Sequence, residues 1–217
     1  MNLSSLIKRY FTSAGNDVTI DVFDEKNIYN VYQHVINVLT QYIDIETTVL
    51  QAMSYCFYEM LDNVLTHSGK ELGTVITHYD PSAHVLSFLV ADDGIGVQAS
   101  LSENEEYTNI PEPEALRMCI KDTITDGKGM GFGLYSTSLL ARDAGLKFEI
   151  CSGNHTMQLQ DGEELIMESP FWQGTVVYLK IRTNKEINPA EVVANRTDVA
   201  AQYNETFLND NELKELW

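Results

Sequence analysis

Residues Met53–His67 read MSYCFYEMLDNVLTH, and the rest of the chain is organised around this stretch. An α-helix advances about 100° per residue, so side chains four residues apart lie one turn above one another. Glu59, Asn63 and His67 follow that spacing and form a narrow polar stripe. Most other positions of the stretch are apolar: Met53, Phe57, Met60, Leu61, Val64 and Leu65. The pattern predicts a helix pressed into a core, with its stripe facing a cleft; a solvated face or a set of satisfied core polar groups is the alternative.

The chain is strongly acidic, with 14 Lys and Arg residues, 32 Asp and Glu residues and a net charge of −18. Such a surface repels nucleic acids and anionic membranes, so we expect direct binding to neither. It would also repel a nucleotide. A phosphate site in this chain must therefore use backbone amides, a metal ion and a few local cations.

The cysteines and the N-terminal sequence favour a cytoplasmic protein. Cys56, Cys119 and Cys151 are odd in number and widely spaced, which is typical of reduced thiols, and no Cys or His pair has the spacing of a zinc site. The first residues contain too short an apolar run for a signal peptide, and no apolar span long enough to cross a membrane follows.

The length of 217 residues suits one domain with extensions. We predict an N-terminal extension over 1–26, a domain over 27–182, and a polar, helical tail over 183–217. Helices are predicted over Ile28–Tyr42, from Asp44 to about Ser68, from Glu112 or Pro113 to Lys121, over Leu134–Ala144, and in the tail over Pro189–Arg196 and Asn209–Trp217. Strands are predicted over Val18–Phe23, Gly73–Tyr79, Val85–Ala91, Leu146–Ser152 and Gly174–Ile181, with a hairpin of Thr156–Gln160 and Glu163–Glu168.

Four alternating glycines, Gly127, Gly129, Gly131 and Gly133, come immediately before one predicted helix. Alternating glycines let backbone N–H groups converge on an anion, and the start of the helix adds partial positive charge. Lys128 supplies a mobile cation within the run. A hinge or tight turn is the structural alternative. The run is neither a Walker A loop nor a dinucleotide fingerprint, because the residues that define them are absent.

A second glycine motif, Asp92-Asp93-Gly94-Ile95-Gly96, ends the strand over Val85–Ala91. A plain turn explains it if it stands alone. A carboxylate fixed at a strand end is also suited to accept a hydrogen bond from an exocyclic amine, with glycines that let a flat base approach the backbone.

Taken in order, E-x-x-x-N-x-x-x-H, D-x-G-x-G and G-x-G-x-G-L resemble the three ATP-binding boxes of the GHKL ATPase superfamily. This group includes DNA gyrase, chaperone and mismatch-repair ATPases and the catalytic domains of histidine kinases. The resemblance covers roughly residues 27–182. The matching residues are Glu59, Asn63 and His67, then Asp92, Gly94 and Gly96, then Gly129, Gly131, Gly133 and Leu134.

The resemblance implies a role for each box. Asn63 would bind Mg²⁺, and Asp92 would accept a hydrogen bond from the adenine amino group while Gly94 and Gly96 let the purine approach. The glycine run up to Leu134, with Lys128, would hold the phosphates, and residues 97–128 would form a lid over ATP. Gly174-Thr175 resembles the family's Gly-Thr pair, whose hydroxyl helps to bind adenine.

Glu59 is the residue to which the resemblance assigns chemistry, because a carboxylate one turn before the metal ligand can activate the group that attacks the γ-phosphate. The implied function is a Mg·ATP-dependent protein kinase of the anti-sigma serine/threonine type, or a regulatory switch. A slow switch ATPase and a non-catalytic nucleotide-binding module remain alternatives. A regulatory protein partner is expected, and a homodimer is allowed. No phosphoacceptor-histidine motif is present, which argues against a self-phosphorylating sensor kinase.

The resemblance implies an α+β fold, a two-layer α/β sandwich of the Bergerat type with a mixed, mostly antiparallel sheet covered by helices on one face. The sequence supports this class independently. About six strands and three core helices alternate too little for a doubly wound parallel sheet.

Overall fold

The computed structural model describes residues 3–11, 18–129, 131–160 and 162–192. Its helices are α1 (Leu3–Tyr10), α2 (Ile28–Tyr42), α3 (Thr47–His67), α4 (Val97–Leu101), α5 (Glu112–Met118), α6 (Gly133–Asp143) and α7 (Pro189–Val192). Its strands are β1 (Thr19–Phe23), β2 (Gly73–Asp80), β3 (Val85–Ala91), β4 (Gly145–Gln160) and β5 (Glu163–Arg182). The fold is α+β, a two-layer sandwich of helices on one open sheet, as predicted. The predicted helix over Asn209–Trp217 lies outside the described residues.

The sheet has the order β1-β2-β3-β5-β4, and each described pairing is antiparallel. No parallel pair of the predicted mixed sheet occurs among these strands. The four segments that we predicted at the C-terminal end of the sheet form two long strands, β4 and β5. Register shifts at Ser152, Gly153 and His155 bend β4 without ending it, which explains why the sequence looked interrupted there.

The main core lies between the helices and one face of the sheet. Apolar residues of α2, α3 and α6 pack against alternate residues of the strands, such as Phe88, Val90 and Leu179. The apolar side of α3 is buried as its period predicts, with Phe57, Met60 and Leu61 almost fully covered. Burial of this side fixes the rotation of α3 and so turns its polar stripe towards the β3–α4 turn and the start of α6.

The opposite face of the sheet is also partly covered. In α1, which belongs to the predicted N-terminal extension, Leu6 and Tyr10 pack with Phe11 on Ile76 and Tyr178 of the sheet. Covered on both sides, β3 is buried along its whole length. This burial holds the end of β3, and therefore Asp92, in a fixed position. Within the described residues no helix is long and apolar enough to cross a membrane.

Candidate functional site

A cavity of about 420 Å³ lies where α3, the end of β3, the glycine run and β5 meet. Its volume falls in the range of small-molecule sites. The predicted site residues that line it are Glu59, Asn63, His67, Asp92, Gly96, Lys128, Gly129, Gly131, Gly133, Leu134 and Thr175. Three motifs that are far apart in the chain therefore meet around one space. Gly94 is the predicted residue that does not line this cavity.

Glu59 is the carboxylate of the polar stripe, and its pKa is strongly shifted. Burial, and then the negative charge of Asp62, raise the pKa of its carboxyl to about 7, against the lowering effect of a hydrogen bond from the Tyr55 hydroxyl. Tyr55 stands one turn before Glu59 on α3 and also lines the cavity. A carboxylate whose pKa lies near neutrality can take a proton during a reaction and release it again.

Asn63 stands next to Glu59 on the stripe, and its amide nitrogen Nδ2 is buried without a hydrogen-bond partner among the described residues. The start of α6 presses against both side chains. A Cβ added to Gly133 would lie 2.6 Å from Glu59 Oε2 and 3.1 Å from Asn63 Nδ2. A larger residue at Gly133 would displace these side chains, so the glycine lets the N-terminus of α6 come close to the stripe, where its free N–H groups favour an anion.

His67 ends the stripe in a buried polar network. Its Nδ1 lies 2.7 Å from Oδ2 of Asp126, whose side chain is 1% exposed. The Ser100 hydroxyl donates to the same oxygen at 2.8 Å, and the Lys128 backbone N–H donates to Oδ1 at 3.0 Å. Burial raises the pKa of the Asp126 carboxyl, but hydrogen bonds from Lys128, His67 and Ser100 outweigh burial and lower it overall. Asp126 is therefore an ionised acceptor beneath the glycine run.

The ammonium group of Lys128 is held by carboxylates. Its Nζ lies 2.5 Å from Glu103 Oε2 and 4.0 Å from Asp126 Oδ2. The pKa of Lys128 is raised, chiefly by the hydrogen bond to Glu103. The predicted mobile cation thus lines the cavity, but an incoming anion has to draw it away from Glu103.

Asp92 occupies the end of the cavity formed by β3 and β5. Its Oδ1 accepts hydrogen bonds from the backbone N–H groups of Gly94 at 2.7 Å and Thr175 at 3.2 Å. Because the described hydrogen bonds to this carboxylate all go to Oδ1, Oδ2 is left as the acceptor for a ligand. Burial raises the pKa of Asp92 to about 6, against the lowering effect of these two N–H groups. Asp92 is therefore mainly ionised at neutral pH.

Side chains of β5 that donate to the backbone of the turn after β3 fix this carboxylate. The Trp172 indole donates to the carbonyl of Asp92 at 3.1 Å, and the Gln173 amide donates to that of Gly94 at 2.6 Å. Gly174 has φ +92°, and a Cβ there would lie 2.5 Å from both Asp92 O and Gly94 N. Gly174 therefore allows β5 and the turn after β3 to approach each other closely, while Thr175 lines the cavity.

Gly94 makes a close contact on the other side of the turn. A Cβ added there would lie 2.1 Å from the backbone oxygen of Ser68, which also accepts a hydrogen bond from Ile95 N–H at 2.8 Å. Packing of the turn on the end of α3 accounts for this glycine. Its predicted contact with a purine stays a prediction, whereas Gly96 does line the cavity.

The predicted lid, 97–128, is more ordered than a loop. It contains α4, a 3₁₀ turn at Glu105–Tyr107 and α5. Leu116 and Ile120 are almost fully buried in the main core. The part of the segment up to Ile120 is thus built into the fold. Both ends of the segment border the cavity: Val97, Ser100 and Leu101 of α4 line it, as do Ile124, Thr125, Asp126 and Lys128.

Several residues of the site were not predicted from the sequence: Tyr55, Ser100, Asp126, Trp172 and Gln173. Tyr55 falls on the four-residue spacing of the stripe, and Asp126 directly precedes the glycine run, so both had a detectable pattern. The hydrogen bonds of Ser100, Trp172 and Gln173 join segments distant in the chain and leave no local pattern.

The donor groups around the cavity fit a metal only when a ligand supplies further oxygens. Among the described residues there is no group of three or more His, Cys, Asp and Glu side chains that could hold an ion. The side-chain amide nitrogen of Asn63 lacks a hydrogen-bond partner within the described residues. Rotation of the amide group would present its oxygen to a metal ion as one ligand. Mg²⁺ is commonly bound by one or two protein ligands together with phosphates and waters, and this set suits it.

Among models of known protein families and among curated proteins, none matches this chain.

Proposed function

We propose that this chain binds Mg·ATP in the cavity described above, as a member of the GHKL ATPase superfamily that its motifs resemble. One observation carries the proposal. Residues of three separate motifs, together with Thr175, line a single cavity of about 420 Å³. Packing alone requires a glycine at Gly133 and Gly174, but it gives no reason for an unpartnered amide at Asn63 or a buried carboxylate at Asp92.

The β3 end of the cavity is assigned to adenine. Asp92 accepts a hydrogen bond from the exocyclic amine through Oδ2, since Oδ1 is held by two backbone N–H groups. A carboxylate that can only accept favours an amine over the carbonyl of guanine. Gly96 and the hydroxyl of Thr175 border the same end.

The other end is assigned to the phosphates. The N-terminus of α6, from Gly133 and Leu134, offers backbone N–H groups, and Gly129 and Gly131 extend this surface along the run. Lys128 adds a cation once it leaves Glu103. Asn63 would hold Mg²⁺, which when bound offsets the charge of the phosphates in a protein of net charge −18.

Glu59 is assigned the role of general base. With a pKa of about 7 it can take the proton of a hydroxyl that attacks the γ-phosphate. We favour a serine or threonine hydroxyl of a partner protein as acceptor, which makes the chain a protein kinase of the anti-sigma type acting in the cytoplasm. With water as the acceptor, the same geometry gives a slow switch ATPase.

Incubation of the purified chain with γ-labelled ATP and Mg²⁺, with and without cell lysate, tests the proposal. Label on a lysate protein supports the kinase, and free phosphate without a labelled protein supports the switch ATPase. Glu59→Ala should retain nucleotide binding but lose either activity. Bound nucleotide without turnover in the unaltered chain would leave a non-catalytic binding module, and turnover that survives in Glu59→Ala would remove Glu59 from the role of base.

A further inference from the structure

The polar network at the end of α3 contains a group that the motifs do not explain. Asp126 is buried and ionised, yet it belongs to neither glycine motif, and three separate segments direct donors at it: His67 on α3, Ser100 on α4 and the backbone of Lys128. Removal of a carboxylate from water is costly unless hydrogen bonds compensate it, and the contacts with these three segments do so here.

The partner whose orientation depends most on Asp126 is His67. The imidazole is bound to Asp126 through Nδ1, so its second nitrogen, Nε2, is the one left for a ligand. The ring lines the cavity, and a Cβ built on Gly129 would lie 3.6 Å from Nε2. Nε2 is thus directed at the glycine run, where the proposed function puts the phosphates.

We propose that Asp126 is a positioning residue that holds His67 so that Nε2–H donates a hydrogen bond to a terminal phosphate oxygen of the nucleotide. This inference rests on the proposed function. Lys128 is held by Glu103, so the imidazole is the side chain already directed at the phosphates before a ligand arrives. Only the protonated form of the ring can donate through Nδ1 to Asp126 and through Nε2 to the phosphate at the same time.

In this arrangement His67 contributes to the binding of the distal phosphates of ATP and not to the binding of AMP. Asn in place of His67 puts an amide nitrogen close to the position of Nδ1, so the contact with Asp126 is kept and the distal nitrogen is lost. Gln reaches the position of Nε2 and restores a neutral donor there. Calorimetric titration with Mg·ATP and with AMP separates the two ends of the cavity.

We expect His67→Asn to weaken Mg·ATP binding about ten-fold or more, as for loss of a charge-assisted hydrogen bond, and to leave AMP binding unchanged. His67→Gln should recover part of the loss. His34→Asn, an exposed histidine on α2, is the matched control and should bind both nucleotides as the unaltered chain does. Equal losses for ATP and AMP, or no loss for ATP, would overturn the inference.

The role of Asp126 has its own readout. In ¹⁵N spectra of histidine-labelled protein, the His67 signals should report a protonated Nδ1, and Asp126→Asn should move them towards the form protonated at Nε2 alone. Unchanged His67 signals in Asp126→Asn would show that Asp126 does not position the ring. If the unaltered chain binds AMP and ATP but His67→Asn changes neither, this inference fails alone; if the unaltered chain binds no nucleotide, the proposed function fails with it.

Discussion

Replacement of Glu59 by Gln should stabilise the fold at alkaline pH while it abolishes turnover. Gln keeps the shape of the side chain and can accept the hydrogen bond from the Tyr55 hydroxyl, but it carries no charge. In the native chain the pKa of Glu59 is raised to about 7 by burial and by Asp62. Ionising this group within the folded protein is therefore unfavourable, and Gln removes that cost.

The magnitude follows from the rise in pKa from its ordinary value to about 7. Well below the ordinary pKa the carboxyl of Glu59 is protonated in both the folded and the unfolded chain, so it makes no pH-dependent contribution to the free energy of unfolding. Between the two pKa values the folded chain keeps a proton that the unfolded chain has lost, so stability falls as pH rises. At about 1.4 kcal/mol per pKa unit the loss above pH 8 reaches about 3 kcal/mol at most, and contact with the solvent of the cavity reduces it to about 1–3 kcal/mol.

Urea unfolding followed by circular dichroism at pH 5, 6, 7 and 8 measures this difference. The excess of Glu59→Gln over the unaltered chain in free energy of unfolding should be smallest at pH 5 and should grow to about 1–3 kcal/mol at pH 8. In a chain of this size that gain raises the melting temperature by about 2–10 °C. Glu25→Gln, at an exposed turn, is the control and should show no such pH-dependent gain. The reasoning is refuted if Glu59→Gln gains nothing at pH 8, or gains as much at pH 5.

Three further substitutions test other parts of the structure. Asp62→Asn removes the charge that adds to the rise in the Glu59 pKa, so the pH midpoint of turnover should move to lower pH; an unmoved midpoint would contradict that coupling. Gly94→Ala introduces a Cβ 2.1 Å from the backbone of Ser68 and should cost about 1–3 kcal/mol in a urea titration, whereas Gly129→Ala has its nearest neighbour at 3.6 Å and should cost under about 0.5 kcal/mol. Leu116→Ala should cost about 2–4 kcal/mol, because α5 belongs to the core; a near-neutral result would mean that the segment moves as a free lid.

Helices α2, α3 and α6 followed closely from the sequence, because each has a clear apolar period, whereas α4 was not predicted. The apolar face of α3 and the spacing of Glu59, Asn63 and His67 were enough to predict both the helix and the alignment of its polar side chains. The strand β3 was also predicted, because the run Val85–Ala91 is short and lies between a turn and the second glycine motif. The structure shows it buried along its whole length.

The full length of the β4–β5 hairpin and the burial of segment 97–128 were not predicted, for different reasons. Polar residues and bulges interrupt the alternation of β4 and β5, and strand pairing over such a stretch is decided by the partner strand. In the predicted lid a short helix was predicted, but among so many acidic residues its apolar positions did not indicate a core element. Ala115, Leu116, Cys119 and Ile120 are nevertheless buried in the core.

The residues of the candidate site also fall into two groups, those that the sequence predicted and those that it did not. Residues on motifs with fixed spacing, such as Asp92 and Gly133, were found, and the structure brings them to the cavity. The residues that support them were not found, because their hydrogen bonds join segments distant in the chain: Trp172 of β5 donates to the carbonyl of Asp92, and Ser100 of α4 donates to Asp126. Hydrogen bonds of this kind depend on the tertiary structure, and several polar residue types of suitable length can form them, so they leave no pattern in the sequence.

Calorimetric titration of the unaltered chain with ATP and GTP in the presence of Mg²⁺ tests the central claim most directly. We predict binding of ATP at a single site with clear preference over GTP, and loss of that preference in Asp92→Asn but not in Asp93→Asn, whose residue stands beside Asp92 and does not line the cavity. Absence of ATP binding, or binding that Asp92→Asn leaves unchanged, would contradict the claim that this cavity is a nucleotide site.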